Sequence, residues 1–373
     1  MGFQIEKINL RQISMPLVHF FETSFGRTYE RHIVLVEVVA GGVSGWGEVT
    51  AGEGPFYNEE WTESAWIIVR DYAAPRVLKT RFEGPEEIAP RTAHIRGHRM
   101  AQGGLEAAVW DLAARLNNRP LWQEIGGGAR KEIPCGVSIG IQETVADLLR
   151  KIETELAAGY QRIKMKIKPG RDVEDIRAVR KEFPQIKLMA DANSAYTLAD
   201  ADHLRRLDEF YLMMVEQPLA HDDIIDHAAL QAKLQTPVCL DECIRSARHA
   251  GQAIRLGACR IINIKPGRVG GHAESIRLHD LCASRGVPVW HGGMLESGIG
   301  RAHNLHLSSL PNFTLPGDVA ASRRYYVPDL IDPPIEVGAD GLIPVPTGPG
   351  IGVTVMWDRV ERATERRLSL PHS

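Results

Sequence analysis

Lys166, Asp191, Glu216, Asp241 and Lys265 follow one another at intervals of 25, 25, 25 and 24 residues, and His291 continues the series after 26 more. A repeat of this length is what one strand, one helix and two loops occupy in a βα unit. It places one residue at the same point of each successive strand. In a (β/α)₈ barrel the loops after the strand ends build the active site. A lysine, three carboxylates and a second lysine would then ring one pocket, an arrangement suited to metal-assisted proton abstraction next to a carbonyl or carboxylate. A single acid at a strand end reads as a helix N-cap or a surface group; five ionisable groups in register do not. His291 shares the spacing, but its imidazole serves as readily as a structural group.

The strand–helix alternation begins only after about residue 125. Before it, Gln4–Met15 reads as a strand ending at Pro16, and HIVLVEVV, the turn Ala40-Gly41-Gly42 and VSGWGEV read as an antiparallel hairpin. Glu59–Leu78 and Ala101–Leu116 have helical spacing, with Leu105, Val109, Leu112 and Leu116 on one face. Strands followed by helices without alternation predict a small α+β domain. Beyond the break at Ile125–Arg130, eight strands are predicted: Ile133–Ile139, RIKMKIK from Arg162, Lys187–Asp191, Leu212–Glu216, Val238–Asp241, Ile261–Lys265, Val287–His291 and Asn312–Leu315. Amphipathic segments such as Thr144–Ala158, Val173–Phe183 and Ala273–Ser284 lie between them. The expected division is 1–128 for the α+β domain, 129–322 for the barrel, and 323–373 for a segment that packs back on the first domain. No solenoid repeat is present, because the period carries only one polar strand end per unit.

Lys166 and Lys265 would end the second and sixth strands, opposite one another across the pocket, with the acids in the arc between. Lys164 precedes Lys166 by two residues and so points the same way. Three clustered carboxylates need a cation to stay ionised together, and oxygen-only ligands select Mg²⁺ or Mn²⁺. Such an ion would also bind a substrate carboxylate and stabilise the enediolate left when its α-proton departs. The base must be a neutral amine; a nearby cation and further lysines would lower its pKa.

Composition narrows the class. The 373 residues exceed the ~150 used as a soft prior for one domain, and 44% hydrophobic with 24% charged residues is ordinary for a globular enzyme. A net charge of −3 with no long single-sign run implies no nucleic-acid or membrane partner. MGFQIEKINLRQ lacks the pattern of a secretory signal, and no apolar stretch approaches the ~20 residues of a membrane helix. The five cysteines, 135, 239, 243, 259 and 282, form no CxxC pair, which points to reduced thiols in a cytoplasmic protein. Neither GxxxxGK[ST] nor a GxGxxG opening a helix after a strand occurs, so nucleotide binding lacks support.

KMKIK from Lys164, DANSAY from Asp191, VEQPL from Val215, LDE from Leu240 and IKPGRVGG from Ile264 resemble the muconate-lactonising subgroup of the enolase superfamily. HGGMLESGIGRAHN from His291 narrows the likeness to the o-succinylbenzoate synthase / N-acylamino acid racemase family. The likeness extends to FETSFG at Phe21–Gly26 and RGHRMAQGGLEAAVWDL at Arg96–Leu112, and so over essentially the whole chain.

The resemblance implies an α/β fold, a modified (β/α)₇β TIM barrel under an N-terminal α+β capping domain. It implies Mg²⁺ on Asp191, Glu216 and Asp241, Lys166 and Lys265 as acid/base lysines, and Lys164 helping to neutralise the substrate carboxylate. Cap loops near Phe20–Gly26 and Ala51–Tyr57 would close over the substrate, with Phe20, Phe25, Asn193, Ser138 and the backbone at Gly293–Met294 in the substrate site. The implied partner is a small succinylated or N-acylated carboxylate, and the implied assembly a homo-oligomer, dimer or octamer. Two reactions follow, both starting with α-proton abstraction. One is dehydration of 2-succinyl-6-hydroxy-2,4-cyclohexadiene-1-carboxylate to o-succinylbenzoate in menaquinone synthesis, which needs one lysine as acid/base. The other is racemisation of N-succinyl or N-acyl amino acids, which needs both. A muconate cycloisomerase-like activity is an alternative. The Asp-x-Asp motif of dipeptide epimerases is absent at Gly317-Asp318-Val319-Ala320. A non-catalytic barrel would be marked by a lost lysine or carboxylate, and none is lost. Cys243 stands where the family pattern has serine, and reads as a small buried residue rather than a nucleophile.

Overall fold

The computed structural model describes residues 2–371. Strands β1 (Lys7–Thr23), β2 (Gly26–Ala40) and β3 (Val43–Val49) form an antiparallel meander, and the C-terminal strand Thr364–Leu370 pairs with the outer edge of β1. Gly41 and Gly42 both have positive φ, as the two-residue turn between β2 and β3 requires. β1 does not end at Pro16: its register with β2 breaks between Pro16 and Phe21 and resumes up to the Thr23–Gly26 pair. The strand pair therefore reaches well beyond the sheet, with Ser24 and Phe25 at its tip.

Helix α1 (Arg99–Leu116) lies directly on β3. Only glycine permits this: a Cβ at Gly45 would sit 2.3 Å from Ala108 O, and one at Gly47 2.1 Å from Gly104 O. On another side, Gly103 of α1 abuts the backbone of Pro266–Gly271, where an added Cβ would meet Gly271 N at 3.2 Å. The expected helix Glu59–Leu78 is a continuous helical run from Thr62 to Val77 that widens to π geometry over Ile68–Ala73.

Seven parallel strands follow: β4 (Gly136–Ile139), β5 (Arg162–Lys166), β6 (Lys187–Asp191), β7 (Val215–Glu216), β8 (Val238–Leu240), β9 (Ile261–Ile264) and β10 (Val289–His291), paired in that order. The first expected strand, Ile133–Ile139, divides at Cys135, because Glu132–Pro134 pairs antiparallel with Leu342–Pro344 instead. The predicted eighth strand, Asn312–Leu315, is not a regular strand. Pro311 and Pro316 bracket it and carry no N–H, so no continuous ladder can run along it. Single bridges, Val289 to Phe313 and Cys135 to Gly317, join this segment to both open edges of the sheet and close the ring. The architecture is an α/β, (β/α)₇β-type barrel with an N-terminal cap. After residue 322, Thr364–Leu370 joins the cap sheet and Trp357 packs on Trp46 and Arg11 of that sheet, while Leu342–Pro344 pairs with Glu132–Pro134 just ahead of the first barrel strand.

Two barrel helices are seated against the cap by its own carboxylates. Glu106 of α1 accepts the first N–H groups of α2 (His272–Ser284), and Glu48 of β3 accepts Ser297 N and Gly300 N at the start of α3 (Gly298–Ser308). No helix among the described residues is long and apolar enough to cross a membrane.

Candidate active site

Alternation along the strands stacks the barrel interior in layers. Met189, Met214, Cys239, Ile261 and Trp290 form a dry plug inside the ring. Arg162, Lys164 and Lys166 climb β5 on one face, the first two with their charges 5.1 and 4.8 Å from the centroid of the Trp290 ring. Above the plug, Asp191 ends β6 and Glu216 ends β7, directly opposite one another in register. Asp241 follows β8 and Lys265 follows β9. Each is at most 9% exposed, as are Lys164 and Lys166.

The lysines and acids are interleaved. Lys166 Nζ donates to Asp191 Oδ2 at 2.6 Å and to Asn193 Oδ1 at 2.5 Å. Lys164 Nζ lies 3.1 Å from Asp191, 3.0 Å from Glu216 and 2.8 Å from Asp318. Lys265 Nζ donates to Asp241 Oδ2 at 2.7 Å and to Tyr57 Oη at 3.1 Å. Asp241 Oδ1 accepts from Tyr57 at 2.9 Å and also from Arg268. Asn263, two residues before Lys265, donates to Glu216 Oε1 at 2.6 Å.

Charge balance is uneven across this layer. Burial raises every carboxyl group. At Asp191 the ammonium groups of Lys166 and Lys164 overcome it, and at Asp241 those of Lys265 and Arg268, so both stay below the ordinary carboxylate range. Glu216 is pushed up to about 8 by burial and then by the charge of Asp191, and Glu242 to about 8 by burial and the charge of Asp241. The carboxylates taken alone act against the lowering that a nearby cation and further lysines are expected to bring. Burial would lower Lys265 and Lys164, but Asp241 for one and Asp318 and Glu216 for the other outweigh it and hold both above the ordinary lysine value.

Among the described residues no three His, Cys, Asp or Glu side chains surround one point as they stand, since each acid is turned to a lysine. The donor chemistry nevertheless fits a hard divalent cation. The donors are all oxygens, Glu216 is pushed above the ordinary carboxylate range by burial and the charge of Asp191, and Asn263 Oδ1 and Glu242 Oε2 are buried without a partner.

Over this floor lies a cavity of about 440 Å³. Lys166, Asn193 and Lys265 reach it from the barrel, together with Gly293–Leu295, while the cap supplies Phe21, Phe25, Tyr29, Phe56, Tyr57, Arg31 and Glu53 among others. Lys166 and Lys265 enter from strands four positions apart in the ring, half-way round. Arg31 ties the halves together, donating to Met294 O at 2.5 Å, Ala51 O at 2.7 Å and Glu53 Oε1 at 2.9 Å. Met294 N donates to Glu296, so both backbone groups of Met294 are engaged within the protein.

Not every residue singled out from sequence meets the cavity. Ser138 turns its hydroxyl to Asp318 Oδ2 at 2.8 Å, and Asp318 also accepts from Arg162 at 2.7 Å. Phe20 packs on Arg27 and Tyr29 outside the cavity wall. His291 is buried beside Phe313 with neither ring nitrogen hydrogen-bonded, and burial pushes its pKa down to about 4, so it sits neutral. The Cys243 thiol faces Gln217 Oε1 at 3.4 Å and is pushed up by burial, away from nucleophilic reactivity.

The chain matches two family descriptions: "Mandelate racemase / muconate lactonizing enzyme, N-terminal domain" over residues 7–126 and "Enolase C-terminal domain-like" over 147–359. It is 56% identical to the o-succinylbenzoate synthase of Geobacillus stearothermophilus over 98% of this chain and 97% of that protein. It is 49% identical to the N-succinylamino acid racemase of Thermus thermophilus over 97% of each. A solved enolase-superfamily structure from Listeria innocua superposes with a TM-score of 0.95 at 39% identity, covering 98% of this chain and 99% of that one.

Proposed function

Because this chain belongs to the enolase superfamily, in its o-succinylbenzoate synthase / N-succinylamino acid racemase family, we propose that it removes the α-proton of a succinylated carboxylate from either face and racemises N-succinylamino acids. The observation that carries this reading is the entry of Lys166 and Lys265 into one cavity from opposite strands. Proton removal breaks Cα–H and forms N–H on one lysine, and the electron pair moves into the carboxylate to give an enediolate. Return of a proton from the same lysine restores configuration; delivery from the other inverts it. Lys164, deep among three carboxylates, keeps its charge and supports the substrate carboxylate. Asp191, Glu216 and Asp241 would hold Mg²⁺, with Mn²⁺ as substitute. When bound, that ion would supply positive charge to the substrate carboxylate and to these acids.

Dehydration to o-succinylbenzoate is the second activity, favoured by the 56% identity to a synthase; it uses Lys166 as acid and base on one face, and Lys265 as a fixed positive charge. A cytoplasmic setting and a place in menaquinone synthesis belong to this second reading.

The test is proton NMR in D₂O with N-succinyl-L-phenylalanine, with polarimetry on the same sample. Loss of the α-proton signal together with loss of rotation, both abolished by chelator and restored by Mg²⁺, is the expected result. An enzyme that dehydrates its cyclohexadiene substrate yet leaves the amino acid α-proton untouched would refute the racemase reading.

A further inference from the structure

The two lysines meet the cap in different ways. On one side Lys166 Nζ holds Asn193 Oδ1 at 2.5 Å, and Asn193 is gripped at every other polar atom. Its side-chain amide donates to Glu242 Oε1 at 2.9 Å, its N–H donates to Asp191 Oδ1 at 3.0 Å, and its carbonyl accepts from Ser24 Oγ at 3.0 Å. Asn193 adopts φ 41°, a left-handed conformation that such surrounding contacts must maintain. Ser24 is on the β1–β2 hairpin tip, so that tip bears on Lys166 through one residue.

On the other side the loop ending in Tyr57 performs the corresponding task. Tyr57 Oη accepts from Lys265 Nζ at 3.1 Å and donates its own proton to Asp241 Oδ1 at 2.9 Å. The ammonium lies 4.7 Å from the centroid of the Tyr57 ring. A phenol is protonated at neutral pH, so the hydroxyl is a donor toward Asp241 and an acceptor toward Lys265. No hydrogen bond joins Tyr57 to Lys166 or Asn193, and none joins Ser24 to Lys265 or Asp241.

We propose that each base is aligned by its own cap loop, with Tyr57 a positioning residue for Lys265 and Ser24, acting through Asn193, a positioning residue for Lys166. The cap then acts on each face of the substrate separately, and a change in one loop alters proton transfer on one face. Racemisation requires both supports, whereas dehydration needs alignment only of the Lys166 face. This inference rests on the two-lysine reading above.

The test follows deuterium incorporation into each enantiomer of N-succinylphenylalanine separately, in D₂O with Mg²⁺. Lys166→Ala and Lys265→Ala first establish which enantiomer each lysine deprotonates. Tyr57→Phe, which keeps the ring and removes the hydroxyl, should slow exchange of the Lys265-facing enantiomer by about 10–100-fold and leave the other within about twofold. Ser24→Ala should do the reverse. Exchange of the unaffected enantiomer, retained with its configuration, shows in the same tube that the variant is folded. Equal losses for both enantiomers, or none, in either folded variant would overturn the proposal. Should circular dichroism show Tyr57→Phe unfolded, Ser24→Ala decides alone by the same criterion. A wild-type enzyme that exchanges neither enantiomer would instead defeat the underlying reading, and this inference with it.

Discussion

The floor of the cavity and its wall are built on opposite principles. On the floor the ionisable groups come from the strands and the residues just after them, are nearly or wholly buried, and share their partners: Asp191 serves two lysines and Lys164 three carboxylates. Removing one member leaves a buried charge unmatched, at a cost of several kcal/mol. The wall comes from loops and a hairpin tip and presents aromatic rings largely open to solvent, with Phe56 73% and Phe25 45% exposed. Trimming one of these rings forfeits only contact area. Apart from the supports at Tyr57 and Ser24, chemistry is therefore vested in the part that tolerates change least, and discrimination between substrates in the part that tolerates it most.

The largest effect should come from the floor. Lys166→Ala and Lys265→Ala should each lower racemisation by about 10²–10⁴-fold with the fold intact; appreciable inversion in either variant would break the two-base assignment. Next, Glu216→Gln should weaken Mg²⁺ binding by at least about tenfold in calorimetric titration. Unchanged affinity would remove this acid from the metal site, and with it the view of the floor as one interdependent layer. The smallest effect belongs to the wall. Phe56→Ala should raise KM for N-succinylphenylalanine by about three- to tenfold while kcat holds within about twofold. A large fall in kcat instead would mean that the exposed rings, and not only the supports at Tyr57 and Ser24, bear on the chemistry, and the contrast would fail.

The floor was readable because it is periodic. Lys166, Asp191, Glu216, Asp241 and Lys265 occupy equivalent strand ends, so one spacing exposes them all. Asn263 was accessible by the same logic that paired Lys164 with Lys166, since it stands two residues before Lys265 on the same strand face. Arg268 and Glu242 lie within motifs quoted for the family likeness, but nothing in their spacing says that one binds Asp241 and the other Asn193. The family likeness put the loops that carry Ser24 and Tyr57 over the substrate, but the contacts of these residues with Asn193 and Lys265, and the place of Arg31, could not be read from sequence, because how an α+β domain sits on a barrel depends on contacts between distant segments. Ser138 shows the converse difficulty: a residue matched to a substrate position turns its hydroxyl to Asp318, whose location beside it is a product of barrel closure. The closing segment 312–315 was mistaken for a strand because its Asn-Phe-Thr-Leu text looks extended, while the flanking prolines that deny it a ladder act only once neighbours are in place.

The glycines under helix α1 have a mechanical meaning. With no side chain between Gly45, Gly47 and the helix on one side, or between Gly103 and the Pro266–Gly271 backbone on the other, main chain rests on main chain at both contacts. Such layers leave little room for the cap sheet, the helix and the stretch that follows Lys265 to shift against one another, so the cap is expected to keep its place on the barrel when a substrate binds. The freedom needed to admit and release a substrate is left to the hairpin tip around Ser24 and the loop carrying Phe56 and Tyr57, which superposition of free and substrate-bound forms on α1 would read directly.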